Sequence, residues 1–242
     1  MASVLNKSDV HRALVVAAHP DDIDFGAAAT IATWTRAGVA VSYCIVTDGD
    51  SGGFELDFPR EEMGPLRRRE QAAAADAVGV SDLHFLGYPD GYVEVTLALR
   101  RDIARVIRQV RPDRILIPSA EIWYERIYPS HPDHRAVGAA ALDAVYPDAR
   151  NPFAFPELRT EEGLEAWTVP ETWLMAHPRS NHAVDVTDTF DQKVAALRAH
   201  KSQTAHHDDL EGMLRGWLTT QAQEHGFAEG RLAEAFYVIS TA

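Results

Sequence analysis

Residues 13–22 read Ala13-Leu14-Val15-Val16-Ala17-Ala18-His19-Pro20-Asp21-Asp22: six apolar residues, then an imidazole, a proline and two carboxylates. A short apolar run bounded by turn residues reads as a buried strand. Similar runs follow at Val39 to Thr47, Leu83 to Leu86 and Arg114 to Pro118. Between them lie helical patterns, Ala27 to Ala37 ending at Gly38, Arg67 to Val78 ending at Gly79, and Leu97 to Val110 ending before Pro112. Each helix stops at a breaker. Strands alternating with helices imply right-handed crossovers, hence an α/β fold: a Rossmann-like, mostly parallel sheet flanked by helices. In such a sheet functional residues gather at the carboxyl ends of strands.

After the fourth strand the rhythm changes. Glu121 to Ser130 reads as a loop, and Pro147 to Pro170 as an ordered cover, because Phe153, Phe155, Leu158 and Trp167 give it apolar material to pack. Its tip is expected to border the site. Strands at Glu171 to Ala176 and Ala183 to Val186, helices at Phe190 to His200 and Asp209 to Glu224, and a strand at Ala235 to Ser240 complete the chain. Residues 1–242 are thus read as a single domain: residues 1–145 form the core with a metal site, and residues 146–242 the cover and the last strands and helices. Trp34, Trp173 and Leu174 fit apolar faces and are assigned to the core.

The chain of 242 residues carries 23 basic and 36 acidic side chains, a formal charge of −13. Such a surface repels phosphate backbones, and no basic run exceeds Arg67-Arg68-Arg69, so nucleic acid is not expected as a partner. The apolar run Ala13 to Ala18 is too short for a membrane span or a signal h-region, which leads to a cytoplasmic assignment. Cys44 is the single cysteine; it excludes an intrachain disulfide and any Cys-rich zinc module. A metal site here rests on His and Asp.

Two clusters supply such residues. In the first, Asp21 and Asp22 would repel each other at a strand end unless a cation or hydrogen-bond donors compensated; alone, the pair also reads as a turn that caps the next helix. The second is His131-Pro132-Asp133-His134, with Ser130 placed as N-cap and Ala136 to Val145 as the helical body. Residues three apart share a helix face, so both imidazoles can address one point, although such a pair alone reads as a solvated helix start. Together the clusters offer two His and one carboxylate, the set a catalytic zinc uses while leaving a coordination position for water.

The chain resembles the LmbE-like, or PIG-L, zinc deacetylase family, which includes enzymes that remove acetyl from N-acetylglucosaminyl conjugates. The resemblance rests on Ala18-His19-Pro20-Asp21-Asp22 and His131-Pro132-Asp133-His134. It extends to Thr47-Asp48-Gly49, to Arg67 and Glu70 with Val78-Gly79-Val80, and to Gly87-Tyr88-Pro89-Asp90-Gly91, with weaker agreement at Asp185 to Asp188 and His200 to Gln203. The chain departs from the family pattern at Ile23, where members that act on sugar conjugates usually have Glu.

The resemblance implies one zinc held by His19, Asp22 and His134, a set that also accepts Fe²⁺ or Co²⁺. It leaves Asp21 as general base on a zinc-activated water. His131, protonated, is the candidate for stabilising the oxyanion or protonating the leaving amine. Asp133 reads either as a cap or as a partner orienting a ligand imidazole. Arg67 and Asp90 match positions that contact substrate, although each reads equally as part of a surface salt bridge; a homo-oligomer is plausible on the same resemblance. The implied activity is zinc-dependent hydrolysis of an amide, foremost the deacetylation of an N-acetyl amino sugar or related small-molecule conjugate. Tyr128, three residues before His131, reads either as a packed tyrosine or as a hydroxyl that reaches an oxyanion, with packing the preferred reading.

Two rival readings remain. Gly49-Asp50-Ser51-Gly52-Gly53 fits the Gly-x-Ser-x-Gly pattern of a serine hydrolase, but Phe54 to Pro59 does not continue as the helix a nucleophile elbow needs. A non-catalytic metal-binding protein of the same fold has no use for a second carboxylate beside the ligand. His206-His207-Asp208-Asp209 reads as a solvated helix start capped by Asp208 or Asp209.

Overall fold

The computed structural model describes residues 5–242, the Lys7 side chain excepted. Residues 1–4 of the expected domain lie outside the described residues. The strands are β1 (Arg12–Ala17), β2 (Ala40–Thr47), β3 (Asp82–Tyr88), β4 (Arg114–Pro118), β5 (Glu171–Met175), β6 (His182–Asp185) and β7 (Ala233–Ser240). They form one sheet in the order β3-β2-β1-β4-β5-β7-β6; neighbours from β3 to β5 are parallel, and β7 runs antiparallel to both β5 and β6. The α/β architecture expected from the strand and helix rhythm is the one observed.

β1 is apolar on both faces because both are covered. Ala13, Val15 and Ala17 pack with Ile31, Tyr43 and Trp173, while Leu14, Val16 and Ala18 pack with Cys44, Ile103 and Val137. Helices α1 (Asp22–Arg36) and α2 (Arg60–Ala77) cover the first face, and α3 (Leu97–Val110) and α4 (Pro132–Asp143) the second. The short helices α5 (Pro156–Thr160) and α7 (Lys201–Thr204), with α6 (Phe190–Ala199) and α8 (Leu210–Glu224), complete the chain. From β1 the chain steps outward to β2 and β3, then crosses to β4 on the other side of β1. The reversal opens a crevice at the carboxyl ends of β1 and β4, and both His clusters lie there.

Several boundaries differ from expectation. α2 begins seven residues earlier than Arg67, with Pro65 inside it; a proline this close to a helix start forfeits a single backbone bond. His131, not Ser130, caps α4, its Nδ1 accepting from Asp133 N at 3.2 Å. Gly138 lets α4 cross the end of β4, because a Cβ there would run into the Pro118 carbonyl. Asp209 caps α8 through Gly212 N at 2.8 Å.

The 147–170 cover does not reach the site. Trp167 Nε1 donates to Pro112 O at 2.8 Å, and its ring lies under Arg12 and Arg111, which places the segment at the amino ends of the strands. Leu158 is buried there and Phe155 and Trp167 pack against the core, but Phe153 is exposed. Tyr128 is also exposed, at 89%, rather than packed. Among the described residues, no helix is long and apolar enough to cross a membrane.

Candidate active site

The chain leaves β1 at Ala17 and turns through His19-Pro20-Asp21 into α1. Asp21 adopts φ 93°, a left-handed conformation that costs a non-glycine residue on the order of 1–3 kcal/mol. The surroundings hold it there: its N–H donates to Gln71 Oε1 at 2.9 Å, and Arg67 Nη2 pairs with its Oδ2 at 3.0 Å. The same guanidinium donates to the carbonyls of Pro20 and Gly49. Gly49 and Gly52 are required beside it, since a Cβ at either would strike the Arg67 side chain.

Three side chains converge in front of this turn. His19 Nδ1 lies 3.2 Å from His134 Nε2, His134 Nε2 lies 3.0 Å from Asp22 Oδ1, and His19 Nδ1 lies 3.4 Å from Asp22 Oδ2. Ligand atoms at about 2.0–2.1 Å from a tetrahedral ion sit roughly 3.3 Å apart, so the spacing suits one metal. The far edge of each ring is committed. His19 Nε2 faces Asp90 Oδ1 at 2.9 Å and Asp133 Oδ2 at 3.1 Å, and His134 Nδ1 faces the Pro129 carbonyl at 3.1 Å. With both outer nitrogens donating, the facing nitrogens each present a lone pair. Two lone pairs at that distance need a shared proton or a cation between them.

The electrostatics point the same way. Burial acts to depress the His19 imidazolium, but the Asp22 carboxylate and hydrogen bonds to Asp133, Asp22 and Asp90 outweigh it and push its pKa up to about 12. Burial likewise opposes Asp22, yet His134 and His19 hold its carboxyl well below the usual range. His134 is raised despite burial, chiefly by Asp22. Asp21 differs: burial pushes it up to about 6 against the pull of Arg67.

Nitrogens of His19, His131 and His134 all lie within 4.8 Å of one another, as do ligand atoms of His19, Asp90 and Asp133. The second group faces the outer edge of His19, and its carboxylates are already engaged. Asp133 accepts from Gly91 N at 2.7 Å and Val93 N at 3.3 Å, and Asp90 from Ser51 N at 3.0 Å. These carboxylates lie against the outer edge of His19 and orient it. His131 is exposed, with its ring 5.0 Å from that of His19. Burial, then repulsion from His19 and His134, lowers its pKa below the ordinary imidazole value. Its Nδ1 is occupied as the α4 cap, which leaves the proton on Nε2.

Arg67 is buried against Asp21 and Asp90 against His19, and neither presents an open face to solvent. Ser51 Oγ donates to the Asp90 carbonyl at 3.2 Å, and loop follows it until α2 begins at Arg60. The helix that a nucleophile elbow requires is absent there.

Sequence reasoning assigned no role to Gln71, Asp24 or His200, all fully buried behind the turn, although His200 opens a stretch that carries the weaker part of the resemblance. For Asp24 a signal existed: it shares a helical stripe with Ala27, Ala28 and Ile31, an anomalous place for a carboxylate.

The chain matches the PIG-L family, described as GlcNAc-PI de-N-acetylase, over residues 14–145. It is 31% identical over 233 residues to the diacetylchitobiose deacetylase of Thermococcus kodakarensis, covering 96% of this chain and 84% of that protein. It is 33% identical over 199 residues to the "Probable N-acetyl-alpha-D-glucosaminyl L-malate deacetylase 2" of Bacillus cereus, covering 79% and 83%. The solved N,N'-diacetylchitobiose deacetylase of Pyrococcus horikoshii superposes with a TM-score of 0.86 at 28% identity, over 96% of this chain and 85% of that one. The chain belongs to the PIG-L family.

Proposed function

We propose, from this membership and the convergence of His19, Asp22 and His134, that the chain is a metal-dependent deacetylase that hydrolyses the N-acetyl amide of a small amino-sugar conjugate. Residues 5–242 then act as one catalytic domain, because strands from both parts of the chain share its sheet. The observation that carries the reading is the ligand spacing of 3.0–3.4 Å, with each imidazole's outer nitrogen already committed. Zinc suits two imidazoles and one carboxylate; such an ion polarises an amide carbonyl and lowers the pKa of water towards neutrality.

The remaining work falls to this chain's side chains. Asp21, adjacent to a ligand and ionising at about 6, takes the proton of the attacking water near neutral pH. Arg67 fixes that carboxylate, with its Nη2 3.0 Å from Oδ2. His131 offers Nε2–H to the oxygen on which negative charge develops, a role a neutral imidazole fills. Asp90 and Asp133 hold His19 in one tautomer. Tyr92 and Tyr124, on loops that follow β3 and β4, and Tyr128, at the start of a short 3-10 turn, expose their rings. These rings supply amphipathic faces for the saccharide part of a substrate, consistent with the sugar substrates named for the relatives.

The test is metal content of the wild type and His134→Ala, run beside amine release from N-acetylglucosamine, diacetylchitobiose and related conjugates, with and without chelator. One metal per chain, lost in His134→Ala together with chelator-sensitive release, is the expected result. Full amine release from metal-free protein would overturn it.

A further inference from the structure

Behind the turn that carries Asp21 runs a buried polar chain. His200 Nε2 donates to Asp24 Oδ2 at 2.8 Å, Gln71 Nε2 donates to the same oxygen at 2.9 Å, and Gln71 Oε1 accepts the Asp21 N–H at 2.9 Å. His200, Asp24 and Gln71 are each 0% exposed. Their order is directional. An amide side chain can present either end, but the Asp24 carboxylate accepts only the NH₂ end, and this turns the carbonyl end towards Asp21. Remove that carboxylate's hold and Gln71 is free to flip, setting donor against donor at the Asp21 N–H.

The layer is also anchored at its base. Lys193 Nζ, itself 0% exposed, donates to the carbonyls of Asp24 at 2.9 Å and Phe25 at 2.7 Å and pairs with Glu234 Oε1 at 2.7 Å. Glu234 in turn accepts from Thr30 N at 2.7 Å. The first turn of α1 is therefore fixed from α6 and β7. On the flank, Ser202 donates through N at 2.8 Å and Oγ at 2.6 Å to Glu70, on the helix that carries Arg67 and Gln71.

We propose that His200, acting through Asp24 and Gln71, is a positioning residue that holds Asp21 in its left-handed conformation with the carboxylate aimed at the attacking water. The proposal rests on the reading of Asp21 as the base. His200 touches neither metal ligand nor substrate position; it supplies the hydrogen bond that orients Asp24, which orients Gln71, which holds the Asp21 backbone. The carboxyl-terminal part of the chain thereby sets the geometry of a site whose reacting groups all lie in the first 134 residues.

The experiment compares His200→Leu, His200→Gln and Gln71→Leu with the wild type and Asp21→Asn, metal-loaded, by kcat, KM, metal per chain and hydrogen exchange at the Asp21 amide. A displacement of about 1 Å at a reacting group costs on the order of a hundredfold in rate. His200→Leu and Gln71→Leu are expected to lose about that much in kcat, with KM and metal content unchanged. His200→Gln, whose amide nitrogen stands where Nε2 stood, should recover most of it. Gln71→Leu combined with Asp21→Asn should be no slower than Asp21→Asn alone. Independently of any turnover, the Asp21 amide should exchange faster in His200→Leu while amides of β1 stay protected. Wild-type kcat in His200→Leu, additive losses in the double variant, or an Asp21 amide equally protected in both proteins would each overturn the proposal. Should the wild type release no amine from any substrate, the functional reading fails, and the exchange measurement still decides the positioning role.

Discussion

The turn between β1 and α1 has two sides that solve opposite electrostatic problems. In front, His19, Asp22 and His134 gather two imidazole nitrogens and a carboxylate within 3.4 Å, and among the described residues the positive charge they demand comes from protons they take up themselves. Behind, Lys193 and Glu234 form a buried ion pair whose members also satisfy backbone groups of α1, so its charges cancel within the protein. On the proposed function, the front exchanges its protons for a metal ion. The back is built to stay the same, and the value of the second lies in holding still the residues that serve the first.

The sharpest way to break this division is at Asp21, which belongs to the front by chemistry and to the back by its bonds. Asp21→Asn keeps the shape and the N–H to Gln71 but removes the carboxylate proposed as the base. General-base catalysis contributes about 10²–10⁴-fold, and kcat should fall by that much while metal content, measured by elemental analysis, stays near one per chain. If metal is lost along with turnover, Asp21 is serving as a ligand and the two sides are not separable.

The next effect falls on stability rather than rate. Lys193→Met leaves Glu234 buried without its partner, and breaking a buried pair from one side costs about 3–5 kcal/mol. Denaturant unfolding should show this loss, and Lys193→Met combined with Glu234→Gln should recover part of it. A single variant as stable as the wild type would show that the back layer is not rigid.

A third difference appears with pH once metal is stripped. Burial opposes it, but Asp22 and the hydrogen bonds to Asp133 and Asp90 push the His19 pKa from 6.5 up to about 12, so without an ion the folded state holds a proton that the unfolded chain releases. Its contribution to stability is fully present below about pH 6.5 and drains away as pH rises towards 12. Asp22, held low, contributes above the ordinary carboxylate range and loses that contribution in acid. The Tm of metal-free protein should therefore fall between pH 6.5 and 9.5. Metal-loaded protein should keep its Tm across that window, because the ion takes the proton's place and binds more tightly as protons leave. A metal-free Tm that is flat there would mean that the cluster is not short of positive charge.

The front layer was legible in the sequence because its residues fall in two local runs, His19 to Asp22 and His131 to His134, each just past an apolar strand. A strand end is a place that a parallel sheet makes predictable, and strand order then brings the two runs together. The back layer was not legible. Its contacts span sequence separations of 41, 169, 176 and 205 residues, and Lys193 sits in a helix where a lysine ordinarily marks the solvent face. The path of the 147–170 cover was equally hidden. Apolar side chains say that a segment packs, but not against which end of the sheet; Trp167 settles that by reaching Pro112.

The smallest expected effect tests the front from its edge. Ser51 sits in the one motif that offers a rival chemistry, and it lies beside the site because Asp90 bridges the two. The Asp90 side chain accepts from the Ser51 backbone N–H at 3.0 Å and faces His19 at 2.9 Å. Ser51→Ala keeps that backbone bond and deletes only an exposed hydroxyl whose hydrogen bond goes to the Asp90 carbonyl. Substitutions of this kind change free energy by about 0.5 kcal/mol or less, so kcat/KM should stay within roughly twofold of the wild type. A serine nucleophile predicts the reverse, a loss of on the order of 10⁶-fold in kcat with metal irrelevant to the rate. Measured side by side with Asp21→Asn under identical metal loading, the two variants separate the mechanisms by orders of magnitude in opposite directions.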